Sequence, residues 1–168
     1  MHVQRAWISV WNKNVDLRVL LLNRCRNFFS TEYGDRQKVQ GRTIEAFSVF
    51  RNGIQPDYYE SYNLAGGTLS CWLKPKKIEH LEKTWETLVL TCIGGIVDPD
   101  EHILGVRVVD RSLDKKMRFR LEIWLKSASA APAEALMQRV LDALSGGDDA
   151  IKSYLPDFEF KKNRELIA

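Results

Sequence analysis

The sequence predicts an α+β fold, a curved antiparallel sheet shaped like a cupped hand with about three helices packed on its convex face. Three observations predict it. Residues 105–111 and 117–124 alternate between apolar and polar side chains, as neighbouring strands do. Two apolar stripes recur at helical spacing, one through Leu81, Trp85, Leu88 and Cys92, the other through Leu136, Val140, Leu141 and Leu144. Each stripe stops at a glycine pair, Gly94-Gly95 and Gly146-Gly147, which is a common way for a helix to end.

Taken in order, residues 6–11 read as a strand, 12–14 as a turn, and 17–22 as a strand pairing back in a hairpin. Residues 24–33 suit a short helix ended by Gly34. Alternation returns over 44–50, Arg51-Asn52-Gly53 is a turn, and Pro56 opens a loop rich in aromatic rings. A strand over 68–73 is entered through Gly66-Gly67 and leads to the first clear helix. The second helix begins near Pro132, and 157–160 would add a last edge strand. No repeat, low-complexity tract or linker divides the chain, so residues 1–168 are expected to form a single domain. Helices on one face leave the concave face open to a ligand.

At 168 residues, 45% hydrophobic and 28% charged, the chain is large enough for a real core and ordinary in composition. No apolar run approaches the roughly 20 residues that span a bilayer, and Met1-His2-Val3-Gln4-Arg5 has no apolar core behind it. Three cysteines, Cys25, Cys71 and Cys92, are odd in number and lack metal spacing, so reduced thiols in the cytoplasm or nucleus are expected. The net charge of +3 is mild, but the cations gather at Lys74, Lys76 and Lys77, at Lys115, Lys116, Arg118 and Arg120, and at Lys161, Lys162 and Arg164. Such patches fit a short anionic ligand better than a long duplex.

The chemistry is most legible in the strand over 117–124. Met117, Phe119, Leu121 and Ile123 point one way, while Arg118, Arg120, Glu122 and Trp124 point the other. A tryptophan among arginines suits a place where a ring meets a base and guanidinium groups meet phosphates. Trp11, at the end of the first strand, and Tyr58 and Tyr59, after Pro56, are candidates to clamp a planar base from opposing loops. Trp7, Trp72 and Trp85 read as core. Glu60 could accept both donors of a guanine edge, although a solvated loop glutamate is the commoner fate. Arg111, Lys116 and Arg120 could hold phosphates. His2, His80 and His102 form no triad or metal site, and no glycine-rich phosphate loop is present. Glu79, Glu82 and Glu86 lack the pattern of a metal-dependent pyrophosphohydrolase helix. No enzyme, cofactor or metal is therefore expected.

These residues together resemble the translation initiation factor 4E family, which binds the 7-methylguanosine cap of messenger RNA. The likeness runs through Asn52-Gly53-Ile54-Gln55-Pro56, Gly66-Gly67, Trp85-Glu86-Thr87-Leu88, Ile93-Gly94, residues 105–111, Leu121-Glu122-Ile123-Trp124 and Lys162-Asn163-Arg164, in family order and spacing. The resemblance implies cap binding in translation initiation or its regulation. Arg111 resembles the phosphate-binding arginine, Arg120 or Lys116 its partner lysine, and Trp124 the tryptophan that touches the N7-methyl group. The clamp falls on Tyr58 and Tyr59 in a gapless match. A one-residue shift places it on Tyr59, with Glu60 as the edge-reading carboxylate, and the shift is favoured because unpaired guanine donors are costly. The hairpin loop of typical members is shortened here to about residues 12–16, leaving Trp11 as the nearest first clamp ring. A factor 4G-like scaffold or a 4E-binding protein is the implied partner, at positions matching His2, Phe29, Glu86, Leu90 and Gly94. Glu86, charged where an apolar contact is usual, alters partner choice. These departures mark a divergent, trypanosomatid-like member. A protein-interaction module with weak or no cap binding is the alternative, and a cap-processing or nucleotide-processing enzyme is a more distant one.

Overall fold

In the computed structural model the described residues are 6–8, 38–39, 42–43, 46–51, 53–74, 78–112, 118–147 and 155–167. Their elements follow the chain as β1 (Ala6–Ile8), β2 (Lys38–Val39), β3 (Arg42–Thr43), β4 (Ala46–Phe50), α1 (Ser61–Leu64) and β5 (Gly67–Leu73). Then come α2 (Ile78–Ile93), β6 (Ile103–Asp110), β7 (Phe119–Leu125), α3 (Ala130–Ser145), β8 (Glu159–Lys162) and α4 (Asn163–Leu166). Six strands form one curved sheet in the order β1-β4-β6-β7-β5-β8, and β2 and β3 form a separate antiparallel pair.

Strand alternation divides the sheet into two faces. Phe47 and Val49, Val106 and Val108, Leu121 and Ile123, and Leu69 and Cys71 pack against α2 and α3 in the main core. From α2 come Leu81, Trp85, Leu88, Val89 and Cys92, and from α3 Ala133, Leu136 and Val140. The stripe predicted for α2 is thus buried, and that for α3 is buried at Leu136 and Val140 and partly buried at Leu141 and Leu144. Helix α2 is closed by Gly95 at φ 70°, with the Ile96 N–H donating to the Thr91 carbonyl at 3.1 Å. Helix α3 tolerates Pro132 in its first turn, where the missing N–H is not needed, and ends at Gly146 with φ 64°.

The other face carries Ser48 and Phe50, Gly105, Arg107 and Val109, Arg120, Glu122 and Trp124, and Thr68, Ser70 and Trp72. These lie opposite one another in the ladders β4–β6–β7–β5. A bulge between Ile103 and Gly105 sends Leu104 to this side, where it packs with Phe50 and Trp124 in a small second core. The same corner is tied by Asp98, which accepts the His102 N–H at 2.8 Å and the Ile103 N–H at 2.6 Å. Arg51 donates from Nε to the Ile103 carbonyl at 2.6 Å and so aligns the chain leaving β4.

Within this fold, some details differ from the sequence expectations. Strand β1 pairs with β4 in parallel, so the sheet is antiparallel across its other described pairings only. The hairpin partner expected over 17–22 and the helix over 24–33 lie outside the described residues. Among the described residues the helices are two long ones and two single turns. Trp72, read as core, is 42% exposed. It shares the parity of Trp124 and Ser70, and that parity faces away from α2 and α3. The edge strand is confirmed but sits two residues later than expected, as β8 against β5.

Gly105 shows how tightly the second core is built. A Cβ there would meet the ring of Phe50, which lies directly over the glycine backbone. Gly105→Ala should therefore cost about 1–3 kcal/mol through overpacking, and Gly105→Ala with Phe50→Leu should recover part of it. Urea denaturation of the three proteins checks this, and a wild-type midpoint for Gly105→Ala would show that the ring moves freely.

Candidate ligand site on the concave sheet face

Trp124 is the floor of the site. It is 0% exposed, although it projects from the face opposite α2 and α3. Phe50 meets its ring edge-on, with centroids 5.3 Å apart at 81°. Tyr58 lies flat upon it, with centroids 3.9 Å apart and planes 20° from parallel. The loop that delivers Tyr58 is fixed by Asn63, whose side-chain amide donates to the carbonyls of Gln55 at 2.6 Å and Asp57 at 2.7 Å. Asn63 is anchored in turn, because Asn163 donates to its backbone carbonyl at 2.6 Å while Thr68 donates to the Asn163 side-chain oxygen at 2.6 Å. Sequence-distant residues therefore set where one ring stands.

Beside the rings is a buried carboxylate. Glu122 is 4% exposed. It accepts the Trp124 indole N–H at 3.0 Å and, at a long 3.4 Å, the Tyr58 hydroxyl. Arg107 approaches it at 3.8 Å from the opposite residue on β6, and Arg120 at 3.4 Å from the same strand. Arg120 also donates to the Ser70 hydroxyl at 3.3 Å. One negative charge among two guanidinium groups and two neutral donors is well satisfied, which is what lets it stay in a nearly dry site. Burial, helped by the Glu122 charge, pushes the Tyr58 phenol up from 10.0 to about 12.

Farther along the face, Arg118 stacks its guanidinium over the Trp72 ring at 3.9 Å. Arg111 is exposed just beyond β6, and its N–H continues the ladder to the Arg118 carbonyl at 2.8 Å. The face thus runs from an aromatic end at Trp124, through a carboxylate and two arginines, to a cationic end at Arg111 and Arg118.

Against the sequence expectations, the structure brings together Tyr58, Trp124 and Arg120, and sets Arg111 at the far end of the same face. Tyr59 is 76% exposed, its N–H donating to the Asp57 side chain at 3.0 Å. Glu60 precedes α1, half-buried, with its backbone carbonyl accepting from Asn63 and Leu64. Glu86 and Gly94 are exposed and Leu90 is half-buried, at four-residue steps along α2. Trp11, Lys116, His2 and Phe29 lie outside the described residues. Sequence reasoning passed over Glu122, Arg107 and Asn63. Opposite charges directly across β6 and β7 were the available signal for the first two. Asn63 gave none, because its partners are backbone carbonyls. Among the described residues no group of three or more His, Cys, Asp or Glu side chains could hold a metal, and no helix is long and apolar enough to cross a membrane.

The family model for Eukaryotic initiation factor 4E matches residues 9–165. The chain belongs to that family. It is 32% identical over 84 residues to eukaryotic translation initiation factor 4E-1 of Schizosaccharomyces pombe, across 49% of this chain and 37% of the relative. To the factor 4E of Candida glabrata it is 29% identical over 111 residues, across 66% of this chain and 51% of the relative. The chain's matches thus span between about a third and a half of these relatives' length. A schistosome factor 4E, solved with m7GpppG and a 4E-BP, superposes with a TM-score of 0.66 at 18% identity, covering 92% of this chain and 74% of that one. An Ascaris suum eIF4E-3, solved with an m2,2,7G cap, gives 0.52 at 21% identity, covering 77% and 69%. At such identities the likeness establishes a shared fold, and the family's sheet-and-helix architecture is the one described above.

Two measurements probe the site itself. Glu122→Ala should destabilise the protein by roughly 3 kcal/mol, since it removes the carboxylate shared by Arg107, Arg120 and the Trp124 indole N–H. Glu122→Gln should cost less, and equal urea midpoints for wild type and Glu122→Ala would show that the carboxylate holds nothing. The second concerns Tyr58. The folded protein keeps a proton that the unfolded chain releases near pH 10, so the stability from this group is complete below pH 10 and drains away as pH rises to about 12. Over that window wild type should lose stability more steeply than Tyr58→Phe, and parallel losses would assign the effect elsewhere.

Proposed function

We propose that this protein binds the 7-methylguanosine cap of messenger RNA on its concave sheet face, as a non-enzymatic factor in translation initiation or its regulation. The observation that carries the reading is the flat stack of Tyr58 on Trp124 at the head of an arginine-lined face. A methylated guanine is a planar cation, and electron-rich rings attract it beyond ordinary stacking. Tyr58 parts from Trp124 and becomes one plate of the clamp, with Trp11 the other, while Trp124 meets the methyl group. Glu60 reads the guanine edge. Arg111 and Arg120 hold the phosphates, with Lys116 beside them. The depth of Tyr58 in the site and the exposure of Tyr59 support Tyr58 as the stacking ring.

Residues 1–168 serve as a single cap-binding domain in this reading. A factor 4G-like scaffold or 4E-binding protein docks along Glu86, Leu90 and Gly94, with His2 and Phe29 completing the face. Ile96, 70% exposed and adjacent to Gly94, offers that partner an apolar contact. A cytoplasmic site of action, shared or not with the nucleus, goes with this role. One observation favours a second reading, a protein-interaction module with weak cap binding: the same stack closes the ring pair against entry.

Titration with 7-methyl-GTP separates the two readings. Tryptophan fluorescence should be quenched with no turnover of the nucleotide, and Tyr58→Ala should weaken binding far more than Tyr59→Ala. Arg111→Ala should cost roughly 1.5–3 kcal/mol for 7-methyl-GTP and almost nothing for the 7-methylguanosine nucleoside. Absence of quenching at millimolar nucleotide would leave the interaction module as the better reading.

A further inference from the structure

We infer that Trp72 and Arg118 form a second stacking subsite, which takes the base of the first nucleotide joined to the cap through its triphosphate. The inference rests on the cap-binding reading and extends the ligand by one nucleotide. Trp72 is 42% exposed, on the sheet face where Trp124 is fully buried. An exposed indole of this size on a strand is costly to leave in water unless something covers it. Here the cover is a guanidinium, 3.9 Å above the ring. That is a planar cation already resting where a base would stack, and both the indole and the guanidinium are surfaces on which single-stranded bases stack.

Position makes the assignment specific. Thr68 lies opposite Trp124, and Trp72 is four residues along the same strand, about 13 Å away at ~3.3 Å per residue. Trp72 faces Arg120 directly across the ladder, and Arg118 and Arg111 follow on the next rung. A chain of phosphates leaving a base at Trp124 and running along Arg120 arrives beside Trp72. Charge complementarity agrees, since Arg111, Arg118 and Arg120 flank the ring and Lys74 is exposed at the end of β5. When the base arrives, Arg118 gives up its place over the indole and turns to the phosphate that precedes the base. The occupant is thus an RNA nucleotide and not a peptide, whose stacking would call for no phosphate cradle between two aromatic sites.

Paired titrations with 7-methyl-GTP and the dinucleotide m7GpppA test this. Trp72→Ala should weaken m7GpppA about tenfold, as loss of one base–aromatic stack does, and leave 7-methyl-GTP within about twofold of wild type. Retained binding of 7-methyl-GTP doubles as proof that the variant is folded. Trp72→Phe should restore most of the lost affinity. With 2-aminopurine in place of adenine, emission of the analogue should be quenched by wild type and not by Trp72→Ala. Equal losses for both ligands, or none for either, would overturn the second subsite while the cap reading stands. Failure of wild type to bind either ligand would overturn both.

Discussion

Everything on the concave face depends on satisfying one carboxylate where there is almost no water. Glu122 does this by drawing four donors to itself: an indole, a phenol and two guanidinium groups. Those donors are the groups that give the face its character. The ring of Trp124 is oriented by its N–H, Tyr58 is seated by its hydroxyl, and Arg107 and Arg120 are held flat along the sheet instead of waving in solvent. Isolated arginines on a strand would spread their charge over many rotamers. Tied to a common acceptor they are pre-organised, so an anion meeting them costs less ordering entropy. The mild net charge of +3 therefore understates the field that a small ligand would meet here.

The fold was readable because its signals are local and periodic. Alternation over 117–124 assigned the side chains from Phe119 to Trp124 to their observed faces, since a strand has one periodicity and one buried side to satisfy. Apolar stripes ended by glycine pairs located α2 and α3 within a few residues. Pairing partners are a different matter. Nothing in residues 6–8 announces a parallel neighbour at residues 47–49, because the choice is made by the sheet and not by the strand. The site was readable in its residue types and only partly in its geometry. Tyr58 and Tyr59 are chemically alike and adjacent, and a single residue of loop register decides which ring turns inward. That register is set by Asn63 gripping the carbonyls of Gln55 and Asp57, a tertiary contact without a sequence signature. Trp72 was misread for a related reason. Tryptophan is most often buried, but its parity on β5 puts Trp72 on the face away from α2 and α3, at the rung of Arg120 and not among the Phe50 and Leu104 side chains that cover Trp124.

The tyrosine stack also has a thermodynamic meaning. A ring pair that covers itself keeps apolar surface dry in the free protein, and in the proposed cap-binding reading a ligand must first separate the two rings. The free energy of that separation is subtracted from every affinity measured at the site, in the same way as any minor binding-competent population. In that reading, residues that steady the stack, including Glu122 and Phe50, influence binding without touching the ligand.

Asn63 and Asn163 are joined across a hundred positions of sequence, and Thr68 completes their chain of hydrogen bonds. The loop bearing Tyr58 thus borrows its rigidity from a residue made a hundred positions later. A ribosome adds about 5–20 residues each second, so the earlier strands can pair for several seconds while this loop still lacks its anchor. The aromatic pocket therefore matures after the strands β4 to β7 on which it stands, and a nascent chain meets its surroundings with those strands made and the pocket still unanchored.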